Sequence, residues 1–98
     1  MKITHLSVPP DRAAHIARHS VTREEVWEAA FNDPRNIVQR LKATTPGARR
    51  RIYRLLGRTE AGRYLAVIFI YRGRGQAYLV TARDMTEAER RYYHEKER

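Results

Sequence analysis

The sequence predicts an α+β fold: an antiparallel sheet of about four to five strands, preceded by two helices and followed by one. Three observations carry this expectation. Helical spacing opened by capping boxes marks the flanks of the chain, β-branched and aromatic residues fill the stretch from Ile37 to Thr81, and glycine-bearing turns divide that stretch. A chain of 98 residues buries about 64% of its unfolded surface, enough for one compact core, so a single domain is expected over 1–98.

Lys2 to Val8 can form a first strand, and Pro9-Pro10 ends it because proline removes a ladder donor and holds the preceding residue extended. Pro10 and Asp11 suit the first turn of a helix, one by its fixed φ and the other by its charge at the positive end of the dipole. Ala13, Ala14, Ile16 and Ala17 continue this helix to near His19. Thr22-Arg23-Glu24-Glu25 is a capping box for the second helix, with Val26, Ala29 and Ala30, joined by Trp27 and Phe31, as its apolar stripe. Asn32-Asp33-Pro34 stops it. The period then becomes extended at Ile37-Val38, Arg51 to Leu56, Tyr64 to Arg72 and Gln76 to Thr81. Thr45-Pro46-Gly47, Glu60-Ala61-Gly62 and Gly73-Arg74-Gly75 are the turns between these strands. Tyr64 to Tyr71 reads Y-L-A-V-I-F-I-Y, apolar on both faces, and so belongs at the centre of the sheet. A second capping box, Thr86-Glu87-Ala88-Glu89, opens a last helix that docks Met85, Ala88 and Tyr92 and leaves Arg90, Arg91, Tyr93 and His94 toward water.

Charge is distributed unevenly. Pro34 to Arg83 holds twelve Lys and Arg against one acid, Glu60, a charge of +11, whereas each flank has four bases against five acids. Such a segment casts a directional positive field, as a polyphosphate partner requires, although an arginine-rich composition and a solvated basic face account for part of it. The longest apolar run is eight residues, far short of the roughly 20 that span a bilayer, and no signal-peptide pattern opens the chain, so no membrane role and a cytoplasmic location are expected. Without cysteine there is no disulfide, thiol nucleophile or thiolate metal site.

Few motifs could carry chemistry. His15 and His19 have the i, i+4 spacing of zinc helices, but Ile16 stands where the glutamate base would be and no third ligand follows, so no metal is expected. Gly73-x-Gly75 lacks a third glycine and a following helix, and no phosphate-loop motif occurs, so no nucleotide cofactor is expected either. Two-metal chemistry needs clustered carboxylates, which the basic segment lacks. Arg, Tyr and His remain, a set that can cleave RNA without metal. A base takes the ribose 2′-hydroxyl proton, guanidiniums hold the dianionic phosphorane, and an acid protonates the leaving oxygen. Arg54, Arg58 and Arg83, from successive strands and turns, are expected to converge on one phosphate. Strand alternation points Tyr53 and Arg54 to opposite faces. Tyr53, Tyr64, Tyr71 and Tyr78 suit either base stacking or half-buried packing.

Three stretches resemble the BrnT toxin family: H-I-A-R-H-S-V-T-R-E-E-V from His15, Y-R-L-L-G-R-T-E-A-G-R-Y-L from Tyr53, and V-T-A-R-D-M-T-E-A-E-R-R-Y from Val80. The most specific pieces are H-x-x-x-H-x-V, G-R-T-x-x-G-R and A-R-D-M-T-x-x-E-R-R-x-Y. The resemblance implies a RelE-like ribonuclease toxin of a type II toxin–antitoxin pair. Its partners would be RNA, a DNA-binding ribbon-helix-helix antitoxin similar to BrnA and, as for some RelE-like enzymes, the ribosome. Arg58 and Arg83, then Tyr53 and His19, become the expected catalytic residues, with Lys42, Arg51, Arg54, Arg63 and Arg72 binding RNA. Ser20 stands where the family commonly has glycine, and Ser7-Val8-Pro9-Pro10-Asp11 replaces its Trp-Asp opening. The alternative function is a basic module that holds nucleic acid or an acidic protein without chemistry.

Overall fold

The computed structural model describes residues 2–41 and 51–96. Its elements are β1 (His5–Ser7), α1 (Pro10–Ala17), α2 (Arg23–Trp27) continued by a π turn over Glu28–Asn32, β2 (Ile37–Leu41), β3 (Ile52–Arg58), β4 (Tyr64–Tyr71), β5 (Gln76–Asp84) and α3 (Glu87–Lys96). The α+β class and the order of elements agree with the sequence reading. Lys42 and the Thr45-Pro46-Gly47 turn lie outside the described residues.

The strands stand in the order β1-β5-β4-β3-β2, with β4 in the middle. β2 to β5 form the expected antiparallel meander, but β1 pairs with β5 in parallel, so the sheet is mixed. Strands joined by short turns must run antiparallel; β1 is separated from β5 by most of the chain and is under no such constraint.

One irregularity decides where β5 aims its last side chains. Ile68 pairs with Thr81 and Phe69 with Leu79, which leaves Val80 as the extra residue of a bulge. Without it, strict alternation from Leu79 would put Arg83 on the face of Leu79. With it, Ala82 returns to that face, and Arg83 joins Leu56 and Ala66 on the other.

The two faces are covered unequally. Leu55, Leu65, Val67, Phe69, Leu79 and Ala82 pack against Ile16, Val26 and Ala29 from the N-terminal helices and Val21 from the turn between them. On the reverse face Leu56 and Ala66 meet Met85 and Tyr93. At about 1.5 to 3 kcal/mol per fully buried large apolar side chain, the first cluster supplies most of the stability.

Two local features let the helices reach the sheet. The Ser20 amide donates to the Ala17 carbonyl and that of Val21 to Ile16, a Schellman stop, with Ser20 in the left-handed region at φ 58. At Gly57 a Cβ would stand 2.5 Å from the Ala29 carbonyl oxygen, so the bare backbone lets the π turn rest on β3. The expected stripe of the second helix is corrected as well. Val26 and Ala29 are buried, whereas Trp27 and Phe31 are 39% and 43% exposed, and the Trp27 indole donates to the Leu6 carbonyl at 3.1 Å.

Two outcomes follow for thermal denaturation. Ser20→Gly relieves a left-handed penalty only partly offset by glycine's chain entropy, so it should stabilise by about 0.5 to 1 kcal/mol and raise Tm by several degrees. Gly57→Ala must push Ala29 away and should destabilise by about 1 to 3 kcal/mol; an unchanged Tm would contradict the close approach.

Candidate functional site

The reverse face gathers three of the expected site residues, Arg54, Arg58 and Arg83, around α3. The capping box forms as expected: the Glu89 amide donates to the Thr86 hydroxyl at 3.1 Å, and Glu89 Oε1 accepts from the Thr86 amide at 2.8 Å. Glu89 is only 6% exposed, and arginines complete its shell. Arg83 binds it in a bidentate way, Nη1 to Oε1 at 2.6 Å and Nη2 to Oε2 at 3.0 Å, while Arg54 Nη1 reaches Oε2 at 3.1 Å. Arg54 Nη2 donates to Gln39 Oε1, and its buried Nε has no hydrogen-bond partner among the described residues. Burial opposes ionisation of Glu89, but the Arg83 and Thr86 hydrogen bonds and the charges of Arg83 and Arg54 outweigh it, holding the carboxyl below its ordinary range. The Arg83 guanidinium is correspondingly raised, its hydrogen bonds to Glu89 outweighing burial. A groove of about 440 Å³ opens over this network, walled also by Gln39, Thr86 and Tyr92.

Burial of Glu89 also sets the rotation of α3. It turns Tyr93 inward, to 1% exposure, where the sequence had placed it toward water; its hydroxyl donates to Asp33 Oδ2 at 2.7 Å. Ala88, expected to dock, is exposed.

On the other flank of α3 lies a second cluster centred on Tyr64. The Arg58 and Arg90 guanidinium carbons stand 4.4 and 4.2 Å from its ring centroid, and its hydroxyl is 3.0 Å from His94 Nε2. Arg58 also donates to the Gly62 carbonyl at 3.3 Å. Among the described residues no carboxylate lies within ion-pair distance of Arg58 or Arg90, whereas Arg54 and Arg83 each have one and Arg63 has two. Two cations beside one aromatic ring, with no acid within ion-pair distance among the described residues, can attract an anion.

The expected convergence of Arg54, Arg58 and Arg83 is therefore only half met. Arg54 and Arg83 come together, but on Glu89, and α3 stands between them and Arg58. Arg63 is a strut: it pairs with Asp84 and Glu25 and donates to the carbonyls of His19 and Ser20. Its hydrogen bond to Asp84 holds that carboxyl below the usual range. His19 is exposed on the far side of this strut, its ring edge-on to His15 at 6.0 Å. Tyr53 lies on the opposite sheet face, stacked on Phe69 at 5.6 Å. Arg51 and Arg72, with Arg72 over Tyr78 at 4.9 Å, sit at the Tyr71 end of the sheet, roughly 23 Å along β4 from Tyr64. Lys42 is outside the described residues. The sequence reading did not single out Glu89, Arg90 or His94 for the site. Their signal was the capping box and the i, i+4 spacing of Arg90 and His94, which puts both on one flank of a helix.

No protein-family model matches this chain, and no curated protein matches it.

The two arginine sets should respond differently to truncation. Arg83→Ala leaves Glu89 buried with one guanidinium fewer and should cost on the order of 2 kcal/mol, less than a fully buried pair because Arg83 is 37% exposed. Arg58→Ala should cost well under 1 kcal/mol; equal losses in urea unfolding would contradict the distinction. The pH response has a fixed sign as well. A lowered folded-state pKa contributes stability that is complete above the unfolded value, near 4.3, and is lost as pH falls through the folded value. The Tm gap between wild type and Glu89→Gln should therefore narrow below about pH 4, and a constant gap would rule the linkage out.

Proposed function

We propose that this protein is a ribonuclease toxin of a type II toxin–antitoxin pair. It grips the RNA phosphate at the Arg58–Arg90 pair over Tyr64, cleaves without a metal ion, works in the cytoplasm, and is silenced when a DNA-binding antitoxin covers this face. The observation that supports the reading most is the uncompensated charge of Arg58 and Arg90 beside the Tyr64–His94 hydrogen bond. The overall charge of +9 draws polyphosphate toward the molecule, but an arginine already neutralised by a carboxylate has less to offer an incoming anion. This reading moves the phosphate site from Arg83 to Arg90 and keeps Arg58.

Among the described residues no helix is long and apolar enough to cross a membrane. The donor set around Tyr64, two guanidiniums, a phenol and an imidazole, suits transesterification. The 2′-hydroxyl loses its proton and its oxygen attacks phosphorus. The bond to the 5′-oxygen then breaks and that oxygen takes a proton, leaving a 2′,3′-cyclic phosphate and a 5′-hydroxyl. The phosphorane between these steps carries one more negative charge than the phosphodiester, so both guanidiniums hold it more strongly than they hold the substrate. His94 accepts the first proton and supplies the second, histidine being the side chain that exchanges protons most readily near neutrality.

The test is cleavage of an RNA oligonucleotide by the purified chain in excess chelator. Arg58→Ala and Arg90→Ala should each slow it about 100-fold, on the order of 3 kcal/mol, with melting temperatures close to wild type. Expression should arrest bacterial growth, and co-expression of a neighbouring antitoxin gene should restore it. RNA that binds without being cut would replace this reading with the non-catalytic module.

A further inference from the structure

Glu60, the one acid in a segment of charge +11, is out of place on a surface that grips phosphate. It sits in the exposed turn between β3 and β4, and its position is held from two sides. Asn32 Nδ2 donates to its Oε1 at 2.9 Å, and its backbone amide donates to Glu28 Oε1 at 3.0 Å. Oε2 has no hydrogen-bond partner among the described residues. Beside it opens a cavity of about 470 Å³, shared with Asn32, Pro34, Gly62, Tyr93 and Arg58. Arg58 is thus the common wall of this cavity and of the Tyr64 clamp.

We infer that this cavity is a nucleobase subsite and that Glu60 selects guanine there. The inference rests on the Arg58–Arg90 reading above, because it places the base of the nucleotide whose phosphate those residues hold. The volume is ample for a purine, Pro34 offers apolar surface to a ring face, and the Arg58 guanidinium can lie against a base as well as a phosphate. Selectivity comes from donor and acceptor pattern. Guanine presents two adjacent donors, N1–H and N2–H, to a carboxylate. Adenine and cytosine each set a ring-nitrogen lone pair beside their one amino group, and uracil flanks its single N–H with carbonyls, so each brings an acceptor against Glu60. Each Glu60 oxygen can take a further hydrogen bond, Oε1 keeping that from Asn32. A carboxylate here repels the RNA backbone but can accept from a base edge.

The experiment measures binding of guanosine 3′-monophosphate and adenosine 3′-monophosphate to the full chain by calorimetry, alongside cleavage of RNA oligonucleotides of defined sequence. Wild type should bind the guanosine nucleotide 10-fold to 100-fold more tightly, the range of one good bidentate base contact. Glu60→Gln, whose amide can pair with adenine as well, should erase that preference, and Glu60→Ala should remove it without favouring adenine. Circular dichroism on each variant establishes that it is folded. Equal binding of the two nucleotides by wild type, no binding of either, or a preference that survives in both variants would overturn the inference. The two readings fail separately. Guanine-selective binding without RNA cleavage keeps the subsite and defeats the nuclease, while cleavage indifferent to base keeps the nuclease and defeats the subsite.

Discussion

A single carboxylate organises the reverse face of this protein. Glu89 caps α3 from within its own first turn and, with the same two oxygens, receives guanidiniums from β3 and β5. It ties the helix terminus to two strands at one buried point, and the rotation of α3 follows. Tyr93 is turned onto Leu56 and Ala66, while Arg90 and His94 are carried to Tyr64. A buried charge is tolerable only while its partners remain, so this knot is both costly to break and specific in what it orients.

The basic residues divide by what already neutralises them. Arg54 and Arg83 share Glu89, and Arg63 ties β4 to the end of β5 and to the second helix through Asp84 and Glu25. These are internal fasteners that happen to be arginines. Arg58 and Arg90 are held by an aromatic ring and a backbone carbonyl, neither of which cancels a full charge. Sequence charge counts all of them alike, and the field felt by an approaching anion does not.

The parts of the fold legible in the sequence were those decided locally. Both capping boxes, the turns at Gly62 and Gly73-Arg74-Gly75, and the central place of β4 need only a few neighbouring residues. Strand alternation also separated Tyr53 from Arg54 correctly. What escaped it depends on pairing between distant residues. The Val80 bulge sends Arg83 to the reverse face, and nothing in V-T-A-R-D announces a bulge. The parallel partnership of β1 and the exposure of Trp27 are likewise settled by packing. Of the candidate site, the sequence singled out Arg58 and the residue types. Their grouping was not legible, because only the burial of Glu89 decides which flank of α3 each side chain reaches.

The central claim is that the anion site is the Arg58–Arg90 pair and that Arg54 and Arg83 are fasteners. It is tested most directly by following the arginine Nε–H resonances by NMR during titration with an uncleavable 2′-deoxy-substituted RNA oligonucleotide. The account predicts that the Arg58 and Arg90 signals shift together and saturably, while those of Arg54 and Arg83 stay in place. Shifts centred on Arg54 and Arg83, with Arg58 and Arg90 unmoved, would contradict it.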